Sequence, residues 1–410
     1  MKDRSTADHT LSNLNQTAGE DSSSPAKKAF NRRSFLKNTV VAGAAVTAGA
    51  AMLENIPSAL AEPGNGNLTR GDAAILKWLA AAEIIESDLW LQYQEFAGIQ
   101  DNEVAKIASK LIHGYPAVAT GGSPAYTNAV SQLDGDMAQY IHDNTEDELT
   151  HQTFINAFLV SKGHDPINLE RFRILPSSKA TGANQVGRLT NLMQLTVDTT
   201  WWTRYRSRTG NPDLGNSFPP AVPTLAVKQH TAIPRTDADL NDANFLQAIA
   251  NTAGFHFANI EVGGSSMYPS LAQRVSDVQV LRILLAIGPT ETSHFQTWHD
   301  KAGNAIPSPN GQPIIDPVTK VPVLFPDLTA AAVPPVGENL QSNLIMPEPT
   351  VFFKGLPVCS IIRPTETKNA AQVALQGFVS MGAFVGQSKQ FMNFVTGLAV
   401  AADQAQRGVS

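Results

Sequence analysis

A single cysteine in 410 residues, Cys359, leaves this chain without an intrachain disulfide and without a thiolate metal cluster. Charged residues make up only 16% of it and aromatic residues 7%, and the net charge of −6 contains no basic stripe interleaved with aromatics, which argues against nucleic-acid binding. A Gly-rich phosphate loop and a Gly-x-Ser-x-Gly elbow are both missing, so nucleotide binding and serine-nucleophile chemistry have no motif to rest on. The most apolar run, Thr39 to Leu53, falls short of the ~20 residues that a membrane-spanning helix needs.

That run has another reading. It follows Asn31, Arg32, Arg33, Ser34, Phe35, Leu36 and Lys37, a twin-arginine signal, and precedes an Ala59, Leu60, Ala61 cleavage site. Residues 1–61 are therefore expected to be removed, leaving a mature chain from Glu62 that the twin-arginine machinery delivers to the periplasm or another extracytoplasmic space. This route carries folded proteins. A protein that must take iron or manganese rather than copper or zinc gains from folding inside first, because affinity alone does not make that selection.

What is present in place of thiols is carboxylate and imidazole at helical spacing. Two copies of Glu-x-x-His occur, Glu148 with His151 and Glu291 with His294. Residues three apart share a helical face, so each pair can aim one carboxylate and one imidazole at a common point. One copy arises readily by chance; two copies, each preceded by a lone-Glu segment, do not. Glu86 and Glu261 each follow an Ile and each precede a Tyr by seven residues, Tyr93 and Tyr268. Four helices giving two lone Glu and two Glu-x-x-His pairs supply the six ligands of a di-iron or di-manganese carboxylate centre.

Helical phase is consistent with this. Ile75, Leu79, Ala82, Glu86, Leu89, Tyr93 and Phe96 recur at three- and four-residue steps, which places Glu86 on the buried stripe. Glu83, one turn earlier, is the second choice, and Glu95, off the stripe, reads as a solvated surface charge. Met137, Ile141, Asn144, Glu148, His151 and Ile155 form a second stripe; Leu246, Ala250, Phe257, Glu261, Gly264 and Tyr268 a third; Leu281, Leu284, Gly288, Glu291, His294 and Trp298 a fourth. His142, His164, His230, His256 and His299 lack ligand spacing and read as structural.

In ligand order, over about residues 72–162 and 243–300, the chain resembles the ferritin-like superfamily, and within it the ferritin-like domain proteins that include desiccation-related proteins. The resemblance implies an all-α fold: a four-helix bundle with a long crossover between its second and third helices. It also implies a centre of two iron or two manganese ions held by Glu86, Glu148, His151, Glu261, Glu291 and His294, with Glu148 and Glu291 bridging. Tyr93 and Tyr268 match positions where some ferritins place a Tyr beside the metal carboxylates, and are expected to donate hydrogen bonds to Glu261 and Glu86; a plain core role is the alternative.

The chain departs from that pattern in its elaborations. Gly/Pro-rich sequence at 97–133 lengthens the first helical connection, and the crossover at 162–242 carries an expected helix from Asn184 to Tyr205. Pro289 is expected to kink or restart the fourth helix. Residues 301–365 are Pro-rich and suggest an extended loop or small β excursion. Residues 366–405 return to helical periodicity as one C-terminal helix, packing on the bundle or on the partner of a homodimer, with Gly382 and Gly386 allowing close helix approach. The expected function is redox chemistry towards O2 or H2O2, of ferroxidase or peroxidase type. The alternative is a non-catalytic envelope stress or desiccation-related protein whose metal site is structural or vestigial.

Overall fold

A computed structural model of the chain describes residues 68–205, 217–328 and 368–409. The expected twin-arginine signal and cleavage site, Cys359 and most of the Pro-rich stretch lie outside these residues. What is described is mostly helical and belongs to one compact unit. Its helices are α1 (Arg70–Ala97), α2 (Glu103–Leu111), α3 (Pro124–Val130), α4 (Met137–Ser161), α5 (Thr200–Arg204), α6 (Ala243–Ala272), α7 (Val278–Ala302), α8 (Ala370–Ser380) and α9 (Lys389–Asp403). One antiparallel pair, β1 (Ile314–Ile315) and β2 (Pro322–Val323), sets Ile314 opposite Val323.

Of the four long helices α1, α4, α6 and α7, three begin at a side-chain cap, and α4 has none. Thr69 Oγ1 accepts from Asp72 N, Asp242 from Asn244 N and Phe245 N, and Asp277 from Gln279 N and Val280 N. Asp72 also ties two helix ends together: its carboxylate accepts from Ser276 N at 2.9 Å and Asp277 N at 3.0 Å, fixing the α6–α7 turn against the start of α1. α4 packs along α1, and α7 along α6. Side chains close the layers: Trp78 Nε1 donates to Met267 Sδ between α1 and α6, Gln152 Nε2 to Ser87 Oγ between α4 and α1, and Trp298 Nε1 to Asn144 Oδ1 between α7 and α4. Pro289 does not break α7, which runs through it as a single helix.

α1 departs most from its amphipathic reading. Nearly every residue from Asp72 to Ala97 is buried, because the crossover and α9 cover the face that an ordinary bundle helix would leave wet. Glu95 is 3% exposed and is no surface charge. Both of its oxygens accept from Arg188 Nη2, at 2.8 and 2.6 Å; Tyr115 OH donates to Oε1 and Asn184 N to Oε2. Asp88 Oδ2 accepts from Leu189 N, Thr190 N and Thr190 Oγ1. These two carboxylates explain why no helix runs from Asn184 to Tyr205: backbone donors that a helix would use internally are drawn to α1 side chains instead, and only the short α5 forms. Glu95→Ala leaves Arg188 charged and unpaired in the interior, so a loss of about 3–5 kcal/mol in unfolding free energy is expected. Urea titration measures it; a change below about 1 kcal/mol would mean that the pair is dispensable.

The C-terminal segment is two helices. Gly382 and Gly386 lie in the connecting turn at φ +82° and +94°, conformations that other residues adopt only with strain. They do not bring helices together. A Cβ on Gly382 would sit 2.7 Å from Gln194 O, at the place where Asn191 N bonds to Ala383 O and Thr196 N to Met381 O. The turn is thus stitched to the crossover backbone, and α9 returns to pack on α1.

Candidate metal centre

The i, i+3 pairs on α4 and α7 face each other, and the lone-Glu helices α1 and α6 complete the shell. Two groups of donor atoms result, each with all its atoms within 4.8 Å of one another: Glu83, Glu148, His151 and Glu291 in one, and Glu148, Glu261, Glu291 and His294 in the other. That spacing fits a cation about 2.0–2.4 Å from each donor. Each group holds three carboxylates and one imidazole, and Glu148 and Glu291 belong to both. The two imidazoles stand with ring centroids 6.5 Å apart.

Five of the six expected ligands fall within these two groups; Glu86 does not, and Glu83 stands in the first group instead. His151 Nδ1 lies 3.3 Å from Glu83 Oε2, Glu148 Oε2 and Glu291 Oε1. His294 Nδ1 lies 3.2 Å from Glu148 Oε1 and 3.3 Å from Glu261 Oε2. Several of these atoms are close without being hydrogen-bonded: Glu83 Oε2, Glu261 Oε2, both Glu291 oxygens and His294 Nδ1 are buried with no hydrogen-bond partner. Buried polar atoms are normally satisfied. Their convergence on shared points rather than on each other is what a cation site requires, and four carboxylates balance two divalent cations in charge. Gly264 makes room for the arrangement, since a Cβ there would sit 2.3 Å from Glu291 Oε2.

Surrounding groups orient the ligands. Trp90 Nε1 donates to Glu261 Oε1 at 2.8 Å, and Tyr268 OH donates to Glu83. Asn144 Nδ2 donates to Glu148 Oε1 at 2.9 Å and to Glu261 Oε1 at 3.2 Å, its own carbonyl being held by Trp298. His294 Nε2 meets Asp147 Oδ2 at 3.0 Å, a carboxylate contact that keeps the proton on Nε2 and leaves Nδ1 to face the centre. The tyrosine expectations shift accordingly. Tyr268 donates to Glu83 rather than Glu86, and Tyr93 OH is bound to His256 Nδ1 at 2.6 Å, leaving Trp90 to serve Glu261. The internal repeat survives in another register: Trp90 follows Glu83 by seven residues as Tyr268 follows Glu261, and each donates to the other helix's Glu.

Burial and crowding set the protonation of the metal-free cluster. Burial lifts Glu83 to about 7, against the pull of His151. Burial, with repulsion from the neighbouring carboxylates, holds Glu86 and Glu291 well above the usual carboxylate range, and burial raises Glu261 as well. Burial would also raise Glu148, but His151, which is hydrogen-bonded to it, and the charge attraction of both His151 and His294 outweigh burial and hold this carboxyl below the usual range. Burial opposes charge on the two imidazoles; the carboxylates around them prevail, and both are held well above the usual histidine range. Without a cation, protons hold the cluster together.

Asp147 and Trp90 carried no ligand-type spacing and were not foreseen; Asn144 and Trp298 lay on the stripes but without an assigned role. A third group, Asp101, Glu103 and His142, could also hold a cation, though its acids are partly exposed and His142 already meets Asp101 and Asp143. Comparison with known proteins found no matching family model, no matching curated protein and no matching solved structure.

Proposed function

We propose that this chain is an exported ferritin-like protein with a two-metal carboxylate centre, redox-active towards O2 or H2O2. The observation that carries the reading is the pair of four-donor groups sharing Glu148 and Glu291. Glu83 and His151 would complete one position, Glu261 and His294 the other. An oxygen-rich donor set with one imidazole at each position and no thiolate suits iron or manganese better than copper. Bound iron or manganese would supply the electrons for reducing the oxidant. The chain's own part is positional. Trp90, Asn144 and Tyr268 hold the carboxylates, Asp147 fixes the tautomer of His294, and burial of the four donor carboxylates keeps bulk water from them. In the envelope, delivered folded by the twin-arginine route, such a centre would arrive already loaded.

The test is anaerobic loading of the mature chain with ferrous ion, followed by H2O2 or O2 with the ferric absorbance recorded. Oxidation at about one H2O2 per metal pair is expected, and loss of the signal in a His151→Ala/His294→Ala variant. Metal that stays bound but keeps its oxidation state under both oxidants would overturn the redox reading and leave the non-catalytic envelope protein.

A further inference from the structure

A cavity of about 340 Å³ opens between α6, α8 and the crossover, at the lower end of the ~300–1,000 Å³ typical of small-molecule sites. Its wall is largely apolar, with Ile260, Met267, Ala374 and Phe378 among the contributors, and Asp198 and Arg204 also line it. From α1 a single residue reaches it, Glu86. This carboxyl is 2% exposed and its Oε2 has no hydrogen-bond partner. It also lies within electrostatic reach of Glu83, Glu148, Glu261 and Glu291. Glu86 is therefore the partition between the cavity and the metal centre, which accounts for a buried glutamate that ligates nothing in either four-donor group.

We propose that this cavity binds a small alcohol or amine with an apolar body, whose hydroxyl or amino group donates a hydrogen bond to Glu86. A buried carboxyl without a partner is costly, and a ligand bringing one donor removes that cost. The apolar side chains that make up most of the remaining wall suit an apolar body. The inference rests on the geometry of the cavity and of Glu86; it places the ligand beside the metal centre of the proposed function without requiring that centre to be redox-active.

Calorimetric titration of the full mature chain with 2-phenylethanol, 2-phenylethylamine and ethylbenzene tests it, with metal content measured on the same samples. Saturable binding of the alcohol or the amine is expected, about tenfold or more tighter than that of ethylbenzene. A Cβ at Gly263 or at Gly377, both on the cavity wall, would meet nothing within 4 Å, so these positions accept a larger side chain without a clash. Gly263→Leu and Gly377→Leu should each abolish binding and leave the metal content unchanged. Glu86→Leu should erase the preference over ethylbenzene. No saturable binding by either polar probe, or binding untouched by both glycine variants, would overturn the inference. Binding with wild-type selectivity to a chain that holds no metal would support it while sinking the redox reading.

Discussion

Replacing Glu148 or Glu291 with alanine is expected to empty both metal positions at once, because each carboxylate belongs to both four-donor groups. Removing a group that merely orients a ligand typically costs about 10–100-fold in affinity, so loss of a shared ligand should exceed that at both positions. Glu83→Ala removes one donor from one group and should chiefly empty that position. Glu86→Ala should leave metal content close to wild type, since Glu86 stands outside both groups. Elemental mass spectrometry of the purified mature proteins gives the comparison, with circular dichroism confirming that each variant folds. The contrast between Glu83 and Glu86 is the sharpest part: metal lost with Glu86 and retained with Glu83 would restore the helical-phase assignment and refute the one given by the structure. Metal retained in the Glu148 and Glu291 variants would sink the centre altogether.

The second large effect is the dependence of stability on metal and pH. In the metal-free chain, Glu83, Glu86, Glu261 and Glu291 are held above the usual carboxylate range, chiefly by burial, and His151 and His294 above the usual histidine range by the carboxylates that overcome burial. From about pH 4.5 upward the folded chain therefore binds more protons than the unfolded one, and the sign of the linkage is negative: stability falls as pH rises through the raised values, Glu83 titrating near 7. Glu148, held low, acts in the opposite sense only at more acidic pH. Metal inverts the trend, since its ligands must give up their protons. At free metal 100 to 1,000 times the dissociation constant, binding adds about 2.7–4.1 kcal/mol per site, and the two sites together about 10 °C in melting temperature. Calorimetry of stripped and reloaded protein at pH 5.5 and 8 should show the stripped chain melting lower at pH 8 and the gap between the two forms widening. A stripped chain that gains stability between those values, or a constant gap, would mean that these carboxylates are not a protonated cluster awaiting a cation.

The part of the centre legible in the sequence is the part built by local geometry. Glu148 with His151, and Glu291 with His294, are three residues apart on one helix, so their shared face follows from 3.6 residues per turn whatever packs around them. Glu261 could be placed because α6 carries no other glutamate. The α1 ligand could not. Periodicity assigns a face only when one side of a helix is wet, and α1 is buried on nearly every side, so the stripe through Glu86 marked one buried face among several. Only the tertiary structure decided between Glu83 and Glu86, by placing Glu83 within 3.3 Å of His151 Nδ1 and turning Glu86 towards the cavity. The same long-range packing decided the crossover, where Asp88 and Glu95 draw off the backbone and guanidinium donors of residues 184–190, and the C-terminal segment, where Gly382 turns against Gln194. Each of these contacts joins residues about 90 to 190 positions apart, and no local pattern encodes such a separation. The sequence by itself determined a mostly helical chain with paired carboxylate–imidazole motifs aimed inward; the tertiary structure determined which carboxylate joins them, because that choice depends on what covers the far side of α1.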